Sequence, residues 1–217
     1  MVDGLQKDDT LRDLLVVDLD GTLLRTNSFT RFTLWFAIEL LKRGMWCPFC
    51  NLSYWVGLRK IRRQTHAETK RRIAVMASRL LSDDDFLLFA SSLRKYIREE
   101  VLNMATAHQS EGGVVVLATA APAEYAVPLA RMAGIKHVLA SGLHIPEGGY
   151  MECRGEEKLR QVRDFCRPHD LQLATVVTDH YDDMPLMMEA DRVVLVSPSP
   201  RTLQVVSSEN IPYSIMK

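Results

Sequence analysis

The chain of 217 residues has no run of about 18 uncharged apolar residues, so no membrane-spanning helix is expected. Its best attempt, Phe32 to Leu41, is interrupted by Glu39 and stops at Lys42 and Arg43. The first ten residues carry Asp3, Lys7, Asp8 and Asp9 and lack the apolar core of a signal peptide, so a cytoplasmic location is expected. Cysteine is scarce, with four residues. Cys47 and Cys50 form one close pair, but Cys153 and Cys166 stand apart, which falls short of a zinc site and leaves reduced thiols as the expectation. No surplus of either charge exists, because 27 Lys and Arg meet 27 Asp and Glu, which argues against a globally basic nucleic-acid binder. Repeats and low-complexity tracts are also missing. What is present, 47% hydrophobic and 25% charged residues, suits one compact unit or a domain with a sizeable insertion.

The neutral balance hides a division. Thr26 to Ser110 holds 14 of the basic and 7 of the acidic residues, together with 11 of the 16 aromatics, including Trp35, Trp46 and Trp55. The remainder of the chain carries the matching negative surplus. That remainder contains short apolar runs, Leu14 to Asp18, Val114 to Leu117, Ala174 to Val177 and Val193 to Val196, of the kind found in strands buried on both faces. Helical patterns over Glu124 to Ala133 and Glu156 to Cys166 alternate with them, closed by Gly134 and Pro168. Alternation of this kind predicts an α/β fold with a doubly wound, Rossmann-like parallel sheet. Leu143 to Cys153, with Pro146, Gly148 and Gly149, reads as an appended hairpin. Thr26 to Ser110 has no valine-rich strand and reads as a helical insertion broken at Gly44, Pro48 and Gly57. The expected division is therefore residues 1–25 and 111–217 for the α/β core and 26–110 for a helical cap.

Ligands in such sheets bind beyond the carboxyl ends of the strands, and four chemistry-bearing clusters fall there. Asp18 and Asp20 close the first strand, ahead of the Gly21 turn. Thr119 follows the second run, where its hydroxyl and the Ala120 amide could hold a phosphate oxygen. Lys158 opens a helix, and Asp179 and Asp183 follow the third run. Each alone reads equally well as a turn, cap or solvated residue. Their order and strand context point to one site.

With these residues the chain resembles the haloacid dehalogenase superfamily, whose members are mostly magnesium-dependent phosphatases. Asp18-Leu19-Asp20-Gly21-Thr22-Leu23 is similar to its first motif, Thr119 to its second, Lys158 to its third, and Asp179 with Asp183 to its fourth. Cys153 to Leu159 and Asp182 to Met187 look like the subgroup of phosphoserine phosphatases and a bacterial phosphatidylglycerophosphatase. The resemblance implies Mg²⁺ held by Asp18, the Asp20 carbonyl and Asp179, with Asp183 orienting a metal-bound water or Lys158. It also implies Asp18 as nucleophile, Asp20 as acid and then base, and Thr119 and Lys158 as phosphate holders.

The resemblance breaks at two places. Phosphoserine phosphatases have an acidic residue nine positions after the nucleophile, facing the substrate ammonium, where this chain has Asn27; an amide cannot neutralise that charge. His180 stands where relatives usually carry a small polar residue. Phe29, Phe32, Trp35, Phe36, Phe86 and Phe89 recur at helical spacing and read as the cap's own small core. Arg59, Lys60, Arg62, Arg63, Lys70, Arg71 and Arg72 read as a solvated basic face that draws anions inward, with peripheral contact to anionic lipid as a second use. The expected activity is hydrolysis of a small or lipid-linked phosphomonoester. Its rivals are phosphotransfer to an alcohol, dehalogenation, and a non-catalytic binding protein on the same fold.

Overall fold

The computed structural model describes residues 11–142 and 150–216. The sequence-predicted hairpin falls largely outside them; at its base, Gly142 and Met151 form an antiparallel bridge. Six strands make one parallel sheet: β1 (Arg12–Val17), β2 (Val114–Pro122), β3 (His137–Ser141), β4 (Leu171–Thr178), β5 (Arg192–Val196) and β6 (Tyr213–Met216), in the order β3-β2-β1-β4-β5-β6. This is the expected doubly wound α/β arrangement. The apolar runs predicted β1, β2, β4 and β5. They did not reveal β3 and β6, which lie at the sheet's edges and are only partly buried, so no continuous apolar run is required of them.

The run Leu14 to Val17 shows why the central strands are apolar throughout. Leu15 and Val17 enter one buried cluster, whereas Leu14 and Val16 enter the other, on the opposite face. The helices behind the second cluster include α7 (Glu156–Cys166), α8 (Met184–Met187) and α9 (Pro200–Ser208), which contribute Leu159 and Val162, Leu186 and Met187, and Val206. The first cluster receives α6 (Ala123–Met132) and the helices between β1 and β2.

Those helices are α1 (Ser28–Lys42), α2 (Trp46–Lys60), α3 (His66–Leu80), α4 (Asp83–Leu93) and α5 (Glu99–Ser110). Three sequence expectations change here. First, α2 runs through Pro48 and Gly57; Pro48 lies in its first turn, where a missing N–H costs no intrahelical bond. Second, the aromatic residues do not form a separate small core. The Phe32 ring lies 5.1 Å from that of Phe89 and 5.2 Å from that of Tyr125 on α6, so one apolar cluster continues from these helices onto the sheet. Third, Lys70 is not part of a solvated face: it is 4% exposed. It shares an α3 face with buried Ile73, Ala74 and Ala77 at helical spacing. The last of the five, α5, packs against β1 and β2, and its His108 Nε2 meets the Asp13 carbonyl at 3.0 Å.

Candidate active site

Beyond Val17 the Asp18 amide still donates to the Val177 carbonyl at 3.0 Å, so the β1–β4 pairing carries Asp18 to the carboxyl end of the sheet. The chain then turns, with Leu23 N donating to Asp18 O and Leu24 N to Leu19 O. Gly21 makes that turn at φ +82°. A Cβ there would sit 2.2 Å from the Asp179 carboxylate, so glycine is required both for the backbone and for the approach of the two loops. Asp20 lies in that turn, and the amide of Ser28, at the start of α1, donates to its Oδ1 at 2.7 Å.

Thr119 near the end of β2, Asp18 after β1 and Asp179 after β4 occupy adjacent strands, with β1 in the middle. Lys158, in the first turn of α7, reaches between them. Its Nζ lies 2.8 Å from Asp18 Oδ1 and 2.6 Å from Asp183 Oδ1, with the lysine side chain 4% exposed. The other Asp183 oxygen accepts from Thr178 Oγ1 at 2.7 Å. Thr22 Oγ1 donates to Asp179 Oδ1 at 3.4 Å, and Thr119 Oγ1 accepts from the Ala121 amide at 3.0 Å, leaving the hydroxyl proton for another acceptor.

The eight candidate site residues, Asp18, Asp20, Asn27, Thr119, Ala120, Lys158, Asp179 and Asp183, line one cavity of about 290 Å³. Asn27 has a structural task as well, because its Oδ1 caps α1 by accepting from the Thr30 amide at 2.8 Å. The Ala120 carbonyl accepts from Ser141 Oγ at 2.9 Å and from Lys70 Nζ at 2.7 Å.

Sequence reading overlooked Lys70, Glu152, Arg154 and Asp182 as walls of this cavity. Lys70 Nζ pairs with Glu152 Oε1 at 2.8 Å, and Arg154 pairs with Asp182. The available signal for Lys70 was a lysine on an otherwise apolar helical face. Glu152, inside the predicted hairpin, and Arg154, just after it, carried no local signal of their place in this cavity. His180 also borders the cavity, with Nδ1 accepting from the Asp182 amide at 3.2 Å.

Burial raises the carboxyl groups of Asp18, Asp20 and Asp179 above their ordinary values, Asp179 to about 6. For Asp18, Lys158 opposes that rise while Asp183 and Asp179 add to it. For Asp20 the Ser28 hydrogen bond opposes it. Burial pushes Lys158 the opposite way, but Asp18 and Asp183 outweigh it and hold the ammonium charged. The cavity lining thus holds six carboxylates, Asp18, Asp20, Glu152, Asp179, Asp182 and Asp183, against Lys70, Arg154 and Lys158, an excess of acid that favours an added positive charge or a bound proton.

A family model described as haloacid dehalogenase-like hydrolase matches residues 15–188, and the chain belongs to that family. No curated protein sequence matches it. Among solved structures, a protein of unknown function from Bordetella pertussis Tohama I shares 18% identity and superposes with a TM-score of 0.75, covering 96% of this chain and 99% of that one. A phosphoserine phosphohydrolase-like protein from Francisella tularensis subsp. tularensis SCHU S4 gives 14% identity and a TM-score of 0.58, with 95% of each chain covered. A phospho-aspartyl intermediate analogue of phosphoserine phosphatase gives 12% and 0.62, covering 96% of this chain and 95% of that one. The fold is therefore one that phosphoserine phosphatases share. Among the described residues no helix is long and apolar enough to cross a membrane.

Proposed function

We propose that this protein is a Mg²⁺-dependent phosphatase that hydrolyses a phosphomonoester through an aspartyl-phosphate on Asp18, beneath a cap formed by the helices between β1 and β2. The observation that carries this reading is the buried Lys158 held between Asp18 and Asp183, facing Thr119 and Asp20 across one cavity.

The donor chemistry fits Mg²⁺. Among the described residues no three His, Cys, Asp or Glu side chains form a ready-made cage. Mg²⁺ does not need one, since it keeps several waters and is commonly held by one or two carboxylates. Asp18 and Asp179, with carboxyl groups raised by burial, would hold it together with the Asp20 backbone carbonyl, and Asp183 would act through Lys158. When bound, the cation supplies positive charge that offsets repulsion between an anionic nucleophile and an anionic phosphate.

The residues divide the rest of the work. Lys158 and the Thr119 hydroxyl hold phosphoryl oxygens as charge shifts onto them. An Asp18 carboxylate oxygen bonds to phosphorus while the bond to the ester oxygen breaks, and Asp20 gives its proton to that departing oxygen. Burial, which raises the Asp20 carboxyl, favours the protonated form this step requires. Asp20, now ionised, takes a proton from water; the water oxygen bonds to phosphorus and the Asp18–phosphorus bond breaks, releasing inorganic phosphate and restoring both carboxyl groups.

A panel of phosphomonoesters assayed with and without Mg²⁺, including phosphoserine, sugar phosphates, nucleotides and phosphatidylglycerophosphate, tests the reading. Mg²⁺-dependent phosphate release from at least one of them, lost in Asp18→Asn, is the expected result. Release from none, or an Asp18→Asn protein that turns over normally, overturns it.

A further inference from the structure

We infer that the substrate is an amphiphilic phosphomonoester whose apolar chain lies in a groove between α1, α2 and α3; the inference rests on the phosphatase reading above and names the substrate class of that site. Two observations carry it. The first concerns charge. Among the described residues lining the catalytic cavity, every lysine and arginine already faces a carboxylate: Lys158 faces Asp18 and Asp183, Lys70 faces Glu152, and Arg154 faces Asp182. Asn27 spends its side-chain oxygen on the α1 cap. No surplus cation stands ready for a second anionic group, and no carboxylate stands at position 27 for an ammonium. Charge recognition of a zwitterionic leaving group therefore finds little support.

The second observation is a groove of about 670 Å³ whose walls include Phe29, Leu34 and Ala37 of α1, Leu52 and Val56 of α2, and Ile73 of α3. Its volume falls in the range of roughly 300–1,000 Å³ usual for small-molecule sites. It shares α1 and α3 with the catalytic cavity. Asn27 lines the cavity and Phe29 the groove; Lys70 lines the cavity and Thr69 the groove. Lys70 Nζ in the cavity wall stands 5.5 Å from the Phe29 ring in the groove wall. α1 also carries more apolar surface than its packing uses: Phe29, Phe32, Phe36 and Leu40 are buried, whereas Leu34 is 65% and Ile38 43% exposed. A chain leaving the phosphate ester past Lys70 and Phe29 would cover Leu34, while Arg59 and Lys60, also in the groove lining, are exposed.

The test uses alkyl phosphates below their aggregation concentrations, with butyl and octyl phosphate compared for KM. The non-hydrolysable methyl-, butyl- and octylphosphonates are compared for binding by calorimetry. Four further methylenes, half buried in an open groove, are expected to improve both KM and binding on the order of tenfold. Leu34→Glu and Ser53→Trp, the latter filling the groove from an exposed position, should bring the octyl-to-butyl ratio close to one. Leu88→Glu, at an exposed site outside the groove, should keep it. A ratio near one in the unaltered protein, or a preference that survives both groove variants, overturns the groove. Chain-length-dependent phosphonate binding without hydrolysis of any ester would retain the groove and overturn the phosphatase reading instead.

Discussion

At the scale of single residues, the site depends on carboxylates held where water would not hold them. Asp18→Asn removes the proposed nucleophile while leaving a group able to accept from Lys158; turnover of a generic phosphomonoester is expected to fall by at least about a thousandfold. Phosphate release, with circular dichroism as a check on folding, measures it. Gly21→Ala puts a methyl group against the Asp179 carboxylate at a left-handed backbone position, so loss of stability of about 1–3 kcal/mol and loss of activity should come together. Asp179 offers a test by pH. Its carboxyl sits at about 6 in the folded protein against an ordinary 3.8, so the native state binds that proton more tightly than the unfolded chain does. The sign follows: this group destabilises the metal-free protein fully above pH 6, and the penalty disappears as pH falls below about 4. Asp179→Asn should therefore raise metal-free stability at pH 8 by roughly 2 kcal/mol, read from urea unfolding in a chelator, and the gain should vanish near pH 4. An unchanged midpoint at pH 8 would contradict the burial argument.

At the scale of elements, two connections separate fold stability from the site. One is Lys70, whose ammonium is held by the Ala120 carbonyl and Glu152. Replacing it with methionine leaves Glu152, itself largely buried, without its cation, and a loss of roughly 3 kcal/mol is expected. Adding Glu152→Gln should recover part of that loss, which separates the unpaired charge from simple loss of packing. The other is the entry to α4, where Ser82 and Asp85 form a reciprocal capping box and Arg43 pairs with Asp85. Ser82→Ala should lower the unfolding free energy by about 1 kcal/mol without changing the octyl-to-butyl preference, because Ser82 touches neither cavity.

At the scale of the whole molecule, the sheet brings loops from separate parts of the chain to one end, and charge accumulates there. Mg²⁺ is expected to raise the melting temperature at pH 8, and the increment should shrink as pH falls through 6 and Asp179 takes up its proton. Scanning calorimetry with and without the cation would show this. An increment that stays constant down to pH 4 would mean that the metal binds elsewhere.

Much of this organisation is legible in the amino-acid sequence. A run such as Leu14 to Val17 has no polar position to spare, so both of its faces must be covered, and that requirement alone implies a sheet between layers of helix. Asp18, Asp20, Thr119, Lys158, Asp179 and Asp183 were readable because each follows such a run or opens the next helix, where parallel topology leaves one shared end. Local pattern did not disclose the edge strands β3 and β6, nor the merging of the aromatic helices with the sheet through Tyr125. It also hid Lys70, whose meaning depends on Glu152, 82 positions away. Burial periodicity is a property of neighbours along the chain, and the amino-acid sequence determined that much by itself. The pairing of charges across the cavity, and the groove beside it, arise from contacts between distant segments, which only the tertiary structure decided.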